Sequence, residues 1–287
     1  MKIALCQINT TVGHFHGNVK SILTFAQKAK DAGCSIALFP ELAVTGYPPR
    51  DLLERPGFAR KAEKALSELL ERLPHGLSVL VGTILANPNR GNHFFNAIVL
   101  IEDGQVKATR RKTLLPNYDV FDEDRWFEPC PEPEGPVQVA GLTVGVTICE
   151  DLWHHPIGLA KSLYDRDPVA ELAKHKLDLL LNLSASPFHH AKLSVREEVA
   201  RQAALKCGAP VLYCNLVGGN DELIFDGCSL AMDEKGNITA LAEAFKEELL
   251  VVDYPSLSGP IASTPGETEG LYEALKLGLR EIGRAHV

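Results

Sequence analysis

Three separated segments of this chain carry side chains that could act together on an amide. The first is Val144-Gly145-Val146-Thr147-Ile148, an apolar, β-branched run that stops at Cys149 and is followed by Glu150, Asp151 and Trp153. Such a run predicts a buried strand. A thiol just past it stands at a strand's carboxyl end, where layered α/β enzymes build their sites. The plain alternative is a packed core thiol, since free cysteine is among the most buried residue types. The second segment is Ala37-Leu38-Phe39-Pro40-Glu41. Pro40 keeps Phe39 extended and has no N–H for a ladder, so the strand ends there with Glu41 at its tip. The third is Lys112, which follows the strand predicted over Gln105–Thr109 and lies between Arg110-Arg111 and Leu114-Leu115. Singly, a glutamate there reads as solvated and a lysine there as part of a basic surface cluster.

The three types together suit nucleophilic hydrolysis. A thiol of pKa ~8.5 is mostly protonated at neutral pH, and the thiolate is the nucleophile. A carboxylate can take its proton during attack. An ammonium nearby lowers the thiol pKa and stabilises the oxyanion of a tetrahedral intermediate. The backbone N–H of Glu150 is the candidate second oxyanion donor. No histidine is required.

Alternating strands and helices must position these groups. Strands are predicted over Lys2–Ile8, Ser35–Phe39, Leu77–Leu85, Phe94–Glu102, Gln105–Thr109, Val137–Ala140, Leu142–Ile148, Leu177–Leu183, Pro210–Leu216, Ser229–Met232, Ile238–Ala242 and Leu249–Asp253. Helices are predicted over Asn18–Ala32, Phe58–Leu73, Pro168–His175, Lys192–Cys207 and Glu269–Ile282. Gly33 is suited to close the first helix, and Asp103-Gly104 to a hairpin turn. Gly218-Gly219-Asn220-Asp221 reads as a turn, and Tyr254–Thr268 as a surface loop or linker. Hairpins mixed with αβ crossovers argue against a Rossmann or TIM pattern and for an α/β layered fold, two sheets face to face with helices outside.

The composition is that of an ordinary globular protein: 287 residues, 45% hydrophobic, 23% charged and a net charge of −8. Net acidity gives nucleic acid no basic patch. No apolar run approaches the length of a membrane span, and the first residues read as a strand rather than a signal peptide. Cysteines 6, 34, 130, 149, 207, 214 and 228 form no disulfide framework and no zinc spacing. The expectation is a reduced, cytoplasmic chain.

FPELAVTGY, RRKTLLPNYDVFDEDRWF and GVTICEDLW resemble the Glu, Lys and Cys signatures of the nitrilase superfamily of carbon-nitrogen hydrolases. The order fits too, with 71 residues from Glu41 to Lys112 and 37 from Lys112 to Cys149. LPNYDVFDE and ICEDLW are most similar to the glutaminase domain of glutamine-dependent NAD synthetases. The resemblance implies a four-layer α-β-β-α sandwich over residues 1–254, followed by a linker and C-terminal helix over 255–287. It implies Glu41, Lys112 and Cys149 as catalytic residues, with Glu123 positioning Lys112 or the substrate amide. Tyr118, Ser186 and Lys192 match positions that hold the amino-acid end of glutamine. No cofactor or metal is implied, and subunits are expected to associate as homo-oligomers. The synthetase branch adds an ATP-pyrophosphatase domain with an SGGxDS phosphate loop. That motif is missing here, so ATP and magnesium binding are not expected. The chain then reads as a separately encoded subunit supplying ammonia to an NAD synthetase subunit or domain, as a truncated NAD synthetase, or as a freestanding amidase of the ω-amidase, N-carbamoyl amidase or nitrilase kind. Two further readings stay open: a metal hydrolase built on His14 and His16 with His154-His155 or His189-His190, and a non-catalytic regulator.

Overall fold

A computed structural model describes residues 1–154 and 162–284. In chain order the elements are β1 (Lys2–Gln7), α1 (Phe15–Asp31), β2 (Cys34–Leu38), α2 (Phe58–Arg72), β3 (Ser78–Ala86), β4 (Phe94–Glu102), β5 (Gln105–Arg111), β6 (Val137–Val139), β7 (Leu142–Ile148), α3 (Pro168–Leu172), β8 (Leu179–Ser184), α4 (Lys192–Cys207), β9 (Val211–Asn215), β10 (Val217–Asn220), β11 (Leu223–Asp226), β12 (Leu230–Met232), β13 (Ile238–Leu241), β14 (Glu248–Asp253) and α5 (Glu267–Arg284).

Two sheets of six strands form, in the orders β14-β1-β2-β3-β4-β5 and β13-β12-β9-β8-β7-β6. Each has a parallel centre, β1-β2-β3 in one and β7-β8-β9 in the other, with antiparallel pairing outside it. The alternation along each strand explains the layering. Ile3, Leu5, Ile36 and Leu38 of the first sheet meet Val144, Val146, Leu181 and Leu212 of the second in one core. The intervening Ala4, Cys6 and Ala37 face the other way, against Val19, Ile22 and Ala26 of α1 and Ala65 and Leu69 of α2. On the far side, Leu180, Val211 and Tyr213 pack against Val199, Ala200 and Ala203 of α4. The result is four layers, α-β-β-α. Among the described residues no helix is long and apolar enough to cross a membrane.

One reading is corrected. Residues Val217–Asn220 are a strand paired with Leu223–Asp226, and the turn lies beyond it, around Asp221. Small, polar residues hide this strand from a propensity argument; cross-strand pairing makes it.

Candidate active site

Glu41 owes its place to a close chain crossing. Phe39 N–H donates to Leu80 O at 2.9 Å, and the chain then turns over β3. A Cβ on Gly82 would lie 2.3 Å from Leu42 N and 2.5 Å from Pro40 O, so only glycine allows this approach. The Glu41 carboxylate is wholly buried. Its Oε1 accepts from Lys112 Nζ at 2.7 Å and from Asn96 Nδ2 at 2.6 Å. Its Oε2 accepts from Ala185 N–H at 2.9 Å.

Lys112 continues β5 along β4, its N–H donating to Asn96 O at 2.8 Å. Its ammonium is fully buried and lies 2.8 Å from both oxygens of Glu123. Tyr47 OH donates to Glu123 Oε1 at 2.8 Å. Burial would pull the lysine pKa down, but Glu123 and Glu41 outweigh it and hold the ammonium well above its ordinary range. Burial, then the charge of Glu41, pushes Glu123 up despite Lys112. Two buried carboxyl groups share one ammonium.

Cys149 follows β7 at the start of a short 3-10 turn, Cys149–Leu152. Its φ of 42° is left-handed, a conformation that costs a residue with a side chain about 1–3 kcal/mol. Asp151 holds this turn in place. Its Oδ2 accepts from Ile148 N–H at 2.9 Å, and its Oδ1 from Thr113 and Leu114 N–H at 3.0 and 2.9 Å. One carboxylate thus ties the thiol's turn to the backbone just past Lys112. Burial raises Asp151 to about 6, against these three donors.

The thiol is 5% exposed and close enough to feel Glu41, Lys112, Glu150 and Glu123. Burial first, then Glu41, pushes its pKa well above the ordinary range, while Lys112 alone among the leading neighbours pulls it down. The expected lowering by Lys112 is present but overridden. At rest the sulfur is a thiol, and its proton must leave as it attacks.

Two of the residues expected at the substrate's amino-acid end, Tyr118 and Lys192, lie within electrostatic reach of the thiol. Tyr118 OH donates to Glu150 Oε1 at 2.8 Å, and so does Tyr164 OH at 2.7 Å. Burial raises Glu150 to about 7, and the two phenols offset part of that rise. Glu150 therefore brings a buried side-chain carboxylate as well as its backbone N–H. Lys192, at the start of α4, places Nζ 4.3 Å from the centre of the Trp153 ring. Burial, then Arg196, lowers its pKa, and the charges of Cys149 and Glu150 reach it. Ser186 is buried, its N–H donating to Asn215 Oδ1 at 2.9 Å and its Oγ accepting from Arg196 Nε at 3.1 Å.

Arg196 is fully buried, forms a two-pronged pair with Asp226 (2.7 and 2.9 Å), and also donates to Ser186 O and Pro187 O. Arg196→Met is expected to cost about 3–5 kcal/mol of stability, because Asp226 is left buried and unpaired. A urea midpoint equal to that of the native chain would contradict this.

The structure thus joins Glu41, Lys112 and Glu123 by direct hydrogen bonds, with Cys149 within electrostatic reach, and gathers Glu150, Tyr118 and Lys192 beside the thiol. Among the described residues it does not gather the candidate histidines: His14, His16, His189 and His190 are exposed, His154 is half-buried with a ring nitrogen 3.0 Å from Tyr164 O, and His155 lies outside the described residues. Among the described residues no group of three or more His, Cys, Asp or Glu side chains could hold a metal ion. Asn96, Tyr47, Asp151, Tyr164 and Arg196 were not singled out by sequence reasoning. Asn96 had a usable signal, a lone amide in the apolar run Phe94–Glu102.

A layered sandwich that buries carboxylates, an ammonium and a thiol at its strand tips is the frame of a hydrolase acting on carbon–nitrogen bonds. The chain belongs to the carbon-nitrogen hydrolase family, whose model matches residues 2–257. It is 40% identical over 287 residues to the glutamine-dependent NAD(+) synthetase of Synechocystis sp., covering 96% of this chain and 51% of that protein. For the synthetase of the same name from Thermotoga maritima the figures are 37% over 255 residues, 88% and 42%. Among solved structures, the glutamine-dependent NAD+ synthetase of Acinetobacter baumannii in complex with ADP aligns with a TM-score of 0.87 at 30% identity, over 99% of this chain and 52% of that one. An amidase from Nesterenkonia sp. aligns at 0.75 and 24% identity, over 89% and 90%, a likeness of fold alone. The chain spans about half the length of the synthetases it matches.

Proposed function

We propose that this chain hydrolyses the side-chain amide of L-glutamine to glutamate and ammonia through an acyl-enzyme on Cys149. The observation that carries this reading is the buried Lys112 ammonium, 2.7 Å from Glu41 and 2.8 Å from Glu123, in the field of the Cys149 thiol.

In this reading Glu41 takes the thiol proton as Sγ bonds to the amide carbon. The carbonyl oxygen becomes an oxyanion held by Lys112 Nζ and the Glu150 N–H. Glu123 can be satisfied by one shared N–H of Lys112, which leaves a proton for the oxyanion. Each such donor contributes about 3–4 kcal/mol to lowering the barrier. The C–N bond breaks, Glu41 returns the proton to the leaving nitrogen, and ammonia departs. Water, deprotonated by Glu41, then adds to the thioester carbon; the C–S bond breaks, glutamate leaves, and Glu41 returns the proton to Sγ. At the far end Lys192 pairs with the α-carboxylate, to which the Ser186 hydroxyl donates, and Glu150 pairs with the α-ammonium. The Tyr118 hydroxyl, donating to Glu150 Oε1 at 2.8 Å, steadies this buried carboxyl group.

Supporting the choice of glutamine are the Lys192 ammonium and the Glu150 carboxyl group, within electrostatic reach of each other and of the thiol, together with relatives named for glutamine dependence. The ammonia would serve NAD synthesis, with a synthetase subunit or domain as partner. A homo-oligomer in a reducing cytoplasm completes the reading, in keeping with seven free cysteines. A panel of glutamine, carbamoyl amino acids, aliphatic amides and nitriles tests it. Glutamine is expected to be hydrolysed with the highest kcat/KM; preference for an amide without an α-amino acid end would overturn the substrate assignment.

The pKa of Glu150 sets a pH dependence. Below about 7 its carboxyl is neutral and cannot pair with the α-ammonium; above it the carboxylate can. KM for glutamine is therefore expected to fall as pH rises from about 6 to 8. Glu150→Gln should flatten this and raise KM at pH 8 by about 10- to 100-fold, the loss of one charge-assisted hydrogen bond. A native KM that does not change over this range would contradict the role given to Glu150.

A further inference from the structure

We propose that Asn96 is a positioning residue that decides which oxygen of Glu41 receives the thiol proton, and that this oxygen is Oε2. The proposal rests on the reading of Cys149 as nucleophile and Glu41 as its base.

Asn96 sits on β4, fully buried, the one amide in the run FFNAIVLIE. Its Nδ2 lies 2.6 Å from Glu41 Oε1. Only the N–H₂ end can face that carboxylate, because Oδ1 would set a lone pair against an anion. Lys112 Nζ holds the same oxygen at 2.7 Å. A carboxylate oxygen offers two lone pairs in its plane, so Oε1 is saturated. Oε2 accepts only from Ala185 N–H among the described residues, at 2.9 Å, and keeps a lone pair free. A proton arriving at Oε1 would have to displace an ammonium or an amide; one arriving at Oε2 displaces nothing. The transfer moves one proton from Sγ to Oε2 and leaves both donors on Oε1 in place. The backbone carbonyl at position 96 separately accepts the backbone N–H of Lys112 at 2.8 Å, a bond that no substitution there removes. Asn96 Oδ1 has no hydrogen-bond partner among the described residues, so the amide's contribution lies in Nδ2.

The charged and titratable groups that act on Glu41 come from four places: Lys112 after β5, Glu123 from the following loop, Tyr47 from the turn after Glu41, and Cys149 after β7. Of these only Lys112 is a cation. Removing the Asn96 donor frees a lone pair on Oε1, so the thiol proton no longer has a single oxygen to go to and the base is less well aimed.

The test uses the full chain with Asn96→Leu, Asn96→Asp and Asn96→Ser, and two readouts. One is the rate of Cys149 alkylation by iodoacetamide across pH, followed by peptide mass spectrometry. The other is kcat and KM for glutamine. Asn96→Leu is expected to slow alkylation at neutral pH by about tenfold, with kcat down about 10- to 100-fold and KM within about twofold of native, since Asn96 acts on the base and not on the substrate. Asn96→Asp, which sets a second carboxyl group against Oε1, should slow alkylation further. Asn96→Ser, still a donor, should stay nearer the native rate. An unchanged alkylation rate in Asn96→Leu, or a loss of kcat that tracks only a lower unfolding midpoint, would overturn the assignment. Native chain that hydrolyses glutamine with Cys149 unreactive at every pH would instead overturn the reading beneath it.

Discussion

Cys149→Ala is expected to lower glutamine hydrolysis by about 10,000-fold or more, the scale at which removal of a covalent nucleophile is felt. No second thiol can replace it. Burial raises Cys6 and Cys34, and pushes Cys130 and Cys207 to about 11 and Cys228 to about 12. Cys214 is likewise raised, its sulfur turned to the backbone carbonyls of Cys6 and Leu38. Cys149 is raised as well, but it has Glu41 and Lys112 beside it, and neither is among the leading neighbours of the other six. The exchange is small and leaves the Asp151 bonds to Ile148, Thr113 and Leu114 untouched, so the unfolding midpoint should hold. Ammonia release assayed beside thermal unfolding checks both halves. Activity within tenfold of native, in a folded variant, would contradict the nucleophile assignment.

Lys112→Met should damage rate and stability together. The rate loses an oxyanion donor, expected to cost about 100- to 1,000-fold. The fold loses the counter-ion of two buried carboxylates, Glu41 and Glu123, expected to cost about 3–5 kcal/mol. The sign of the pH effect follows. Without Lys112 a buried carboxyl titrates at a higher pH folded than unfolded, so the variant gains stability as pH falls and loses it as pH rises through that folded value. Lys112→Met with Glu123→Gln should recover much of the stability and none of the rate. Urea unfolding at pH 5 and pH 8 measures this; equal midpoints for native and Lys112→Met at pH 8 would contradict the ion cluster.

Much of this arrangement is visible in the chain before folding, and the reasons differ by residue. Apolar runs such as Val144–Ile148 and Ser78–Ala86 mark central strands because both faces are buried. Pro40 marks where β2 must stop, and so where Glu41 stands. Glycine-rich β10 is invisible because its strand character comes from pairing with β11. The thiol's net electrostatics were also beyond reach: Lys112 lowers the pKa as expected, but the extent of burial depends on the folded layers. Glu150 stood next to Cys149 in the motif, yet Tyr164, which donates to it, comes 14 residues later in a loop with no distinguishing pattern. Long-range hydrogen bonds, such as that from Ala185 N–H to Glu41 across 144 residues, leave no local mark.

The covalent step can be observed directly. The native chain is mixed with glutamine, quenched in acid during turnover and digested, and the peptide carrying Cys149 is weighed. A γ-glutamyl group on Cys149 that vanishes once glutamine is exhausted is the predicted result. Steady ammonia release with that cysteine always unmodified, and undiminished release by Cys149→Ala, would contradict it.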